Sequence, residues 1–245
     1  MATTNAPVTE ALVAALEPRP ADVILDLASG TGDLAEALGP RVARILVTDF
    51  SPAMVEAARR RGIANADHRV LDMQAIDLPD ASVDAVGCRF GLMLVPDPAL
   101  ALREIRRVLK PGGRLAFATW APAKQNPWAT AYGPVLIERG VVEPPKPGEP
   151  GQFALSEAGE LTTLVRDAGF ANVSVAEVPV AFRFASWDEY RRVVTGLAAA
   201  LRERLEQLDD RTRAEVDEGA RLRVERFRDE EGYVIPGLAL VTRAS

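Results

Sequence analysis

The chain has 245 residues, of which 48% are hydrophobic and 26% charged, the balance of an ordinary globular protein. Its net charge of −6 disfavours binding to nucleic-acid phosphates, and its single cysteine and single histidine disfavour disulfide frameworks and protein-built metal sites. It has neither a leader-like segment nor an apolar run of about 18 residues, so we expect a cytoplasmic protein without a membrane span.

Strands and helices alternate through the first half of the chain. Apolar residues at helical spacing predict a helix over 7–17. The predicted strands cover 22–28, 44–49, 68–72, 83–88 and 114–120, and helices over 33–39, 51–61 and 97–109 separate them. This order predicts βαβ crossovers and a parallel sheet covered on both faces. Because ligands bind beyond the carboxyl ends of such strands, we expect functional residues at 28–32, 49–50, 72–73 and 88–91.

The second half of the chain has a different composition. Seven prolines between residues 121 and 155 indicate a long connection, with one short helix near 128–139. Further elements follow, with helices predicted over 156–168, 186–207 and 212–228 and strands over 173–184 and 232–242. Of the 14 aromatic residues, only Phe50 and Phe90 precede residue 117. This distribution indicates that the first half is an aliphatic scaffold of the kind that binds a cofactor. The second half carries nearly all the large aromatic side chains and is expected to bind the molecule on which the protein acts.

Residues 23–33 carry the strongest signature of a ligand site. An apolar strand leads into Asp26 and then into a turn of small residues that opens a helix. Gly30 and Gly32 let the backbone bend sharply and let a ligand approach main-chain amides. Asp49 lies about 20 residues further on, as in the relaxed dinucleotide-binding pattern, so this pattern alone would permit NAD.

Acidic residues around this loop favour a different ligand. Asp33 lies in the first turn of the helix, and Asp49 and Asp72 end the next two strands. A pyrophosphate binds best at a helix N-terminus without carboxylates, because like charges repel at close range. A ligand with a sulfonium and an ammonium group, and without phosphate, is favoured by the same carboxylates. The charge pattern therefore predicts S-adenosylmethionine rather than NAD.

Several ordered motifs resemble those of the class I S-adenosylmethionine-dependent methyltransferases. They are Asp-x-Ala-x-Gly-x-Gly at 26–32, Thr-Asp-Phe-Ser-Pro-Ala-Met at 48–54, Asp-Met at 72–73, the segment 88–97 and Leu-Lys-Pro-Gly-Gly-Arg at 109–114. The resemblance covers residues 20–120 and, more weakly, 232–244, and it is greatest to the small-molecule branch that includes quinone-biosynthesis C-methyltransferases. It implies an α/β, Rossmann-like, doubly wound sheet of seven strands, mostly parallel, with the antiparallel last strand between the fifth and sixth. It also implies helical cap insertions on the substrate side.

The resemblance implies roles for the residues that would bind S-adenosylmethionine. Asp49 would accept hydrogen bonds from both ribose hydroxyls, and Asp72 one from the adenine amino group. Phe50 and Met73 would pack against the faces of the adenine ring. The expected set also includes Gly32, Ser51, Met54, Cys88, Arg89 and Phe90.

The methionine part of the ligand would lie against the glycine loop. Backbone atoms of Ala28, Ser29 and Gly30 would line it, and Asp26 would order the loop and favour the ammonium group. Ala28 departs from the commonest family pattern, which has glycine at this position.

The acceptor side is predicted from aromatic residues. Each of Trp120, Trp128 and Tyr132 alone is explained well as part of the core, but together they predict an apolar, partly aromatic acceptor pocket. No catalytic base is assigned. His68, the only histidine, lies at the start of its strand, away from the expected site.

The sequence therefore predicts a methyltransferase. We expect a single domain over 1–245, with a cofactor-binding core at 20–120, substrate-side insertions at 121–155 and 186–230, and a last strand at 232–242. In-line displacement would transfer the methyl group to a small, rather apolar metabolite and leave S-adenosylhomocysteine. Oxygen is the favoured acceptor atom, ahead of nitrogen and carbon. A quinone-precursor C-methyltransferase is the alternative enzyme, although Met93 stands where that group usually has a basic residue. A non-catalytic S-adenosylmethionine-binding regulatory module is the other alternative, and the intact Asp49 and Asp72 disfavour it.

Overall fold

The structure is a computed structural model that describes residues 5–144, 146 and 148–245. Residues 1–4 and two prolines of the predicted connection, Pro145 and Pro147, lie outside the described residues. None of the helices within the described ranges combines the length and the apolar content that crossing a membrane requires.

Ten α-helices and eight strands occur in the described residues. The helices are α1 (Ala6–Leu16), α2 (Asp33–Leu38), α3 (Pro52–Arg59), α4 (Pro98–Val108), α5 (Pro127–Thr130), α6 (Tyr132–Glu138), α7 (Ala158–Asp167), α8 (Trp187–Leu197), α9 (Ala199–Glu206) and α10 (Asp210–Val224). The strands are β1 (Val23–Leu27), β2 (Arg44–Asp49), β3 (Ala66–Val70), β4 (Val83–Arg89), β5 (Leu109–Trp120), β6 (Ser174–Phe184), β7 (Arg228–Asp229) and β8 (Gly232–Ala244).

The strands form one sheet in the order β3-β2-β1-β4-β5-β8-β6, with β7 paired to β8. The first five strands pair in parallel, and β8 pairs antiparallel with β5. Helices connect β1 to β2, β2 to β3 and β4 to β5, whereas the connection from β3 to β4 has no helix among the described residues. The predicted α/β, doubly wound sheet, with its antiparallel last strand between the fifth and sixth, is therefore confirmed. The two-residue strand β7 was not predicted, because so short a segment has no periodicity that could reveal it.

Two strand boundaries differ from the prediction for reasons of pairing. β3 starts and ends two residues earlier than predicted, since its parallel register runs from Ile45↔Ala66 to Asp49↔Val70 and ends where β2 ends. β5 begins at Leu109, five residues earlier than predicted, and residues 110–113 are an irregular part of this strand. There the register with β4 shifts, because Val83 pairs with Leu109 and Ala85 with Arg114.

Helix caps explain several helix starts. The Asp97 carboxylate accepts a hydrogen bond from the Leu100 N–H (2.8 Å), and the Ser186 hydroxyl accepts one from the Glu189 N–H (3.2 Å), so both residues cap the helices that follow them. Ser51 precedes α3, but its side chain makes no capping bond. The helix predicted over 186–207 is two helices, α8 and α9, because Ala198 leaves the helical conformation (φ −115°, ψ 89°).

The chain divides into two compact units. The first comprises residues 1–121, 148–178 and 239–245, and the second comprises 122–147 and 179–238. The first unit contains the glycine loop and the parallel strands, and the second contains the helices α5, α6, α8, α9 and α10. The expectation that residues 1–245 form a single domain stays a prediction.

A buried ion pair in the first unit gives a stability prediction. The Arg114 guanidinium on β5 donates to the Asp22 carboxylate just before β1, and both side chains are buried. We expect Arg114→Met to lower the free energy of unfolding by about 3 kcal/mol, since it leaves a buried carboxylate without its cation. Urea denaturation measures this change.

The exposed pair Arg44–Asp67 is the matched control, because both of its side chains are about half exposed. Arg44→Met should cost less than about 1 kcal/mol, as surface ion pairs contribute little. Equal losses in the two variants would contradict the prediction for Arg114.

Candidate functional site

A cavity of about 570 Å³ lies in the first unit at the carboxyl ends of β1 to β4. It is lined by Ala28, Gly30, Asp49, Phe50, Leu71, Asp72, Met73, Gln74, Phe90, Gly91, Leu94, Val95 and Pro96. Its volume is in the range of small-molecule and cofactor sites. The strand ends expected to be functional therefore meet at one cavity.

Seven of the fourteen residues predicted to bind the cofactor line this cavity. They are Ala28, Gly30, Asp49, Phe50, Asp72, Met73 and Phe90. The other seven, which are Asp26, Ser29, Gly32, Ser51, Met54, Cys88 and Arg89, are not part of its lining.

The glycine loop follows β1 and turns into α2 through left-handed backbone conformations. Ala28, Gly30 and Gly32 have φ values of +50°, +55° and +88°. Glycine is required at position 32, since a Cβ there would lie 3.2 Å from the Ala58 Cβ in addition to the unfavourable φ. The loop thus leaves the backbone of Gly30 open to the cavity.

Asp49 ties the glycine loop to the end of β2. Its Oδ2 accepts a hydrogen bond from the Gly30 N–H (2.9 Å), and its Oδ1 accepts one from the Ser51 N–H (2.9 Å). Each carboxylate oxygen can accept a further bond, because an ionised carboxylate has about four acceptor positions. Asp49 can therefore hold the loop and still accept from two hydroxyl groups of a ligand in the cavity.

Asp72 and two apolar side chains form another part of the cavity wall. The Asp72 Oδ1 accepts from the Gln74 N–H (2.9 Å), which leaves the other carboxylate oxygen available. Phe50 is 75% exposed, whereas Met73 is buried. An exposed aromatic face beside carboxylates suits a flat, hydrogen-bonding ring such as a nucleobase.

The charge of the cavity is negative. Asp49 and Asp72 are its acidic lining residues, and no lysine, arginine or histidine occurs among the described residues that line it. Arg89, the cation next to the lining residue Phe90, donates to the Asp33 carboxylate and to the Thr9 hydroxyl (3.1 Å). This arrangement favours a cationic ligand over a pyrophosphate.

Asp33 contributes less to this argument than the sequence suggested. It lies outside the cavity lining, and it accepts hydrogen bonds from both Arg89 and Arg61. Burial alone would raise the pKa of Asp33, but these two arginines outweigh burial and hold its pKa below the ordinary value. Asp33 is therefore part of an ion-pair network, and the preference against phosphate depends on the lining carboxylates.

Asp26 lies below the loop and is completely buried. Neither of its carboxylate oxygens has a hydrogen-bond partner among the described residues. Burial raises its pKa to about 8, against the opposing charge of Arg89, so the carboxyl is largely protonated at neutral pH. A mostly neutral carboxyl favours an ammonium group less than a carboxylate would, and the predicted roles of Asp26 in ordering the loop and favouring that group stay predictions.

The other predicted residues outside the lining have clear surroundings. Cys88 is buried on β4, and burial raises the pKa of its thiol to about 12, so it is an unreactive core residue. Ser29 is buried, and Met54 on α3 is 42% exposed. His68 lies in the middle of β3, opposite Val47, and it does not line the cavity.

The three aromatic residues predicted to contact the acceptor have different surroundings. Trp120 is buried in the first unit, where its ring stacks on Phe90 with 4.2 Å between centroids. Trp128 and Tyr132 are buried in the second unit and do not line the cavity. Trp128 stacks on Phe182, and the Tyr132 hydroxyl donates to the Asp217 carboxylate (2.9 Å).

Sequence reasoning did not assign six of the lining residues, which are Leu71, Gln74, Gly91, Leu94, Val95 and Pro96. Gly91 lies within the segment 88–91 that was expected to be functional. Its role was not assigned, because it depends on contacts with residues that are distant in sequence. Leu71 directly precedes Asp72 and Gln74 directly follows Met73, whereas residues 94–96 lie four to six positions after Phe90. Extending each expected segment by a few residues would have found them.

Comparisons with known proteins identify the family. A family model described as a methyltransferase domain matches residues 25–117, which include every residue that lines the cavity. The ubiquinone/menaquinone biosynthesis C-methyltransferase of Acidiphilium cryptum is 34% identical over 181 residues, covering 66% of this chain and 71% of that protein. Its namesake from Hydrogenovibrio crunogenus is 40% identical over 122 residues, covering 46% of this chain and 48% of that protein.

The fold comparison agrees with these matches. The YcgJ protein of Bacillus subtilis superposes with a TM-score of 0.64 at 19% identity, covering 96% of each chain. The chain belongs to the class I S-adenosylmethionine-dependent methyltransferases, a family of enzymes whose methyl donor is S-adenosylmethionine. Within that family it is similar to the methyltransferases of quinone biosynthesis, and it spans about half the length of the first curated relatives that it matches.

Proposed function

We propose that this protein binds S-adenosylmethionine in the cavity and transfers its methyl group to a small acceptor. The observation that carries the proposal is the meeting of the glycine loop, Asp49 and Asp72 at one cavity whose described lining has no cationic side chain. Such a site suits a ligand that has a ribose diol, an adenine ring and positive charge, but no phosphate.

Each part of the ligand has a proposed partner. Asp49 accepts from the ribose hydroxyls and Asp72 from the adenine amino group, with Phe50 and Met73 against the ring. The backbone at 28–30 lines the methionine part. Asp26, Gly32, Ser51, Met54, Cys88 and Arg89 remain proposed cofactor-binding residues, although none of them is part of the cavity lining.

The proposed mechanism depends on positioning. The bound cofactor supplies a methyl group that its sulfonium already activates toward displacement. The chain's residues hold the two reactants in line and exclude water, which can contribute several kcal/mol without any catalytic side chain. The acidic lining residues Asp49 and Asp72 already accept backbone hydrogen bonds, so we assign no general base.

The proposed acceptor is a small, rather apolar metabolite, and an oxygen atom is its proposed site of methylation. The proposed location of the protein is the cytoplasm. Trp120, Trp128 and Tyr132, together with the substrate-side segments 121–155 and 186–230, remain the proposed acceptor determinants. The names of the relatives favour a second candidate, methylation at carbon of a quinone precursor. The matched family model over 25–117 covers the cofactor side, so the acceptor atom is a separate question.

Isothermal titration calorimetry tests the cofactor. We expect micromolar binding of S-adenosylmethionine and S-adenosylhomocysteine and no binding of NAD. Binding of NAD alone, or of none of the three, would contradict the proposal.

An acceptor screen with methyl-deuterated S-adenosylmethionine tests the reaction. Hydroxylated aromatic compounds serve as probes, mass spectrometry detects the transferred label, and NMR of the product distinguishes an oxygen-bound from a carbon-bound methyl group. Label on carbon would favour the second candidate. Cofactor binding without transfer to any probe would favour the regulatory-module alternative.

A further inference from the structure

Two residues that line the cavity have backbone conformations that residues with a side chain rarely adopt. Ala28 has a φ of +50° and Phe90 a φ of +63°. The left-handed region costs a residue other than glycine roughly 1–2 kcal/mol, so the surrounding contacts must hold both residues in place. Strain of this kind concentrates at sites where geometry matters for function.

Ala28 and Gly91 both line the cavity and lie next to each other. A Cβ added to Gly91 would lie 2.3 Å from the Ala28 Cβ, 3.0 Å from the Cys88 Sγ and 3.4 Å from the Met73 Cε. Carbon atoms in contact are about 3.5–4 Å apart, so the Ala28 methyl group occupies the space that a side chain at 91 would need. Because the φ of Gly91 is −99°, glycine is required here for space and not for backbone freedom.

Neither of the two facing segments is free to retreat. The Ser29 N–H, next to Ala28, donates to the Thr48 carbonyl (2.9 Å), and the Phe90 N–H, next to Gly91, donates to the Ala118 carbonyl (3.0 Å). The Phe90 ring also stacks on the buried Trp120, with an angle of 7° between the ring planes. The close approach of Ala28 to Gly91 is therefore fixed from both sides.

We propose that Ala28 and Gly91 are a size-matched pair of positioning residues. One methyl group fills the space between the glycine loop and the segment after β4, and it sets the separation at which the cavity accepts its ligand. The role in ligand binding rests on the proposed function, whereas the size match rests on the packing alone. The pair also explains how this chain accommodates alanine at position 28. Ala28 keeps its left-handed backbone conformation, and glycine at position 91 leaves room for the Ala28 methyl group.

A double-mutant cycle tests the pair. The wild type, Gly91→Ala, Ala28→Gly and the double variant are titrated with S-adenosylhomocysteine at a temperature where all four are folded, and their thermal midpoints are measured. Gly91→Ala should weaken binding at least about 30-fold, because one wall must move to admit the new methyl group. Ala28→Gly alone should weaken binding by about 3- to 10-fold, because it leaves a methyl-sized gap between the loop and the segment after β4, although it also removes the strain at position 28.

The decisive result is rescue. The double variant should bind within about tenfold of wild type, because only the 3.0 Å contact with the Cys88 Sγ then has to relax. Gly159→Ala is the control, since a Cβ at 159 meets no atom within 4 Å, and it should leave affinity unchanged. A purely structural pair would lower thermal midpoints without changing the affinity of the folded protein.

Several outcomes would overturn the proposal. These are wild-type affinity in Gly91→Ala, equal loss in Gly91→Ala and in the double variant, and an effect on thermal midpoints alone. If Gly91→Ala does not fold, recovery of folding and binding in the double variant supports the pair, and continued failure overturns it. If the wild type does not bind S-adenosylhomocysteine, the proposed function fails, while the midpoints still test the size match: the stability lost in Gly91→Ala must return in the double variant.

Discussion

Replacing Asp49 by alanine should weaken the binding of S-adenosylhomocysteine at least about 100-fold, because hydrogen bonds to charged groups contribute about 1.5–3 kcal/mol each. The variant loses the proposed acceptors of the ribose hydroxyls. It also releases the Gly30 and Ser51 N–H groups that the carboxylate now holds. Asp49→Asn should bind weakly as well, since its amide nitrogen cannot accept, so only one of the Gly30 and Ser51 N–H groups keeps its acceptor and the carboxylate charge is lost.

Calorimetric titration measures this loss, and Asp209→Ala is its matched control. Asp209 also accepts a backbone hydrogen bond at a helix start, from the Thr212 N–H (3.0 Å), but it does not line the cavity. The control should bind with wild-type affinity. If Asp49→Ala retains affinity within about threefold, the ribose contact proposed for Asp49 is wrong.

The second large effect concerns Asp26 and pH. Its pKa is about 8 in the folded protein and near 3.8 when exposed, so the folded state keeps a proton that the unfolded state has released. Stability from this group is fully present below about pH 4, falls as pH rises and levels off near pH 8. One pKa unit corresponds to about 1.4 kcal/mol, so the total loss is several kcal/mol.

Asp26→Asn removes this titration while keeping the shape of the side chain. We expect the free energy of unfolding of the variant, relative to wild type, to increase steadily between pH 5 and pH 8. Urea denaturation at a series of pH values measures this slope, which is independent of any constant cost of burying the amide. Asp209→Asn is the control: hydrogen bonds with Thr212 lower the pKa of exposed Asp209, so its removal leaves this pH range unchanged. Parallel curves for Asp26→Asn and wild type would contradict the raised pKa of Asp26.

The sequence predicted the sheet and the strand ends because local patterns determine both. Buried parallel strands are continuous apolar runs, and their carboxyl ends must meet at one edge. Asp49 illustrates this success, since its place at the end of β2 follows from βαβ connectivity, whereas its bonds with the Gly30 and Ser51 N–H groups were not predicted. The antiparallel position of β8 came from the family resemblance, because strand order is a long-range property that no local pattern contains.

The predictions failed or stayed open where long-range partners decide the role of a side chain. Arg89 is the last residue of β4, but Asp33 and Thr9, which are far away in sequence, engage its guanidinium. Lys110 lies in the motif at 109–114, and no local pattern indicates that its Nζ contacts both oxygens of the Asp84 carboxylate (2.8 and 2.9 Å). The match between Ala28 and Gly91 is of the same kind, because 63 residues separate its two members.

The position of β8 has a consequence for the order in which the protein can mature. Residues 239–244 pair with β5, which lies more than one hundred residues earlier in the chain. Among the described strands, β6 is joined to the rest of the sheet by its pairing with β8. During synthesis, β5 and β6 therefore leave the ribosome before the strand that lies between them. Such distant pairing is slow to form, and until it forms the edge of β5 is an exposed template for other chains. We infer that nascent chains halted before residue 239 are the species that would most need a chaperone.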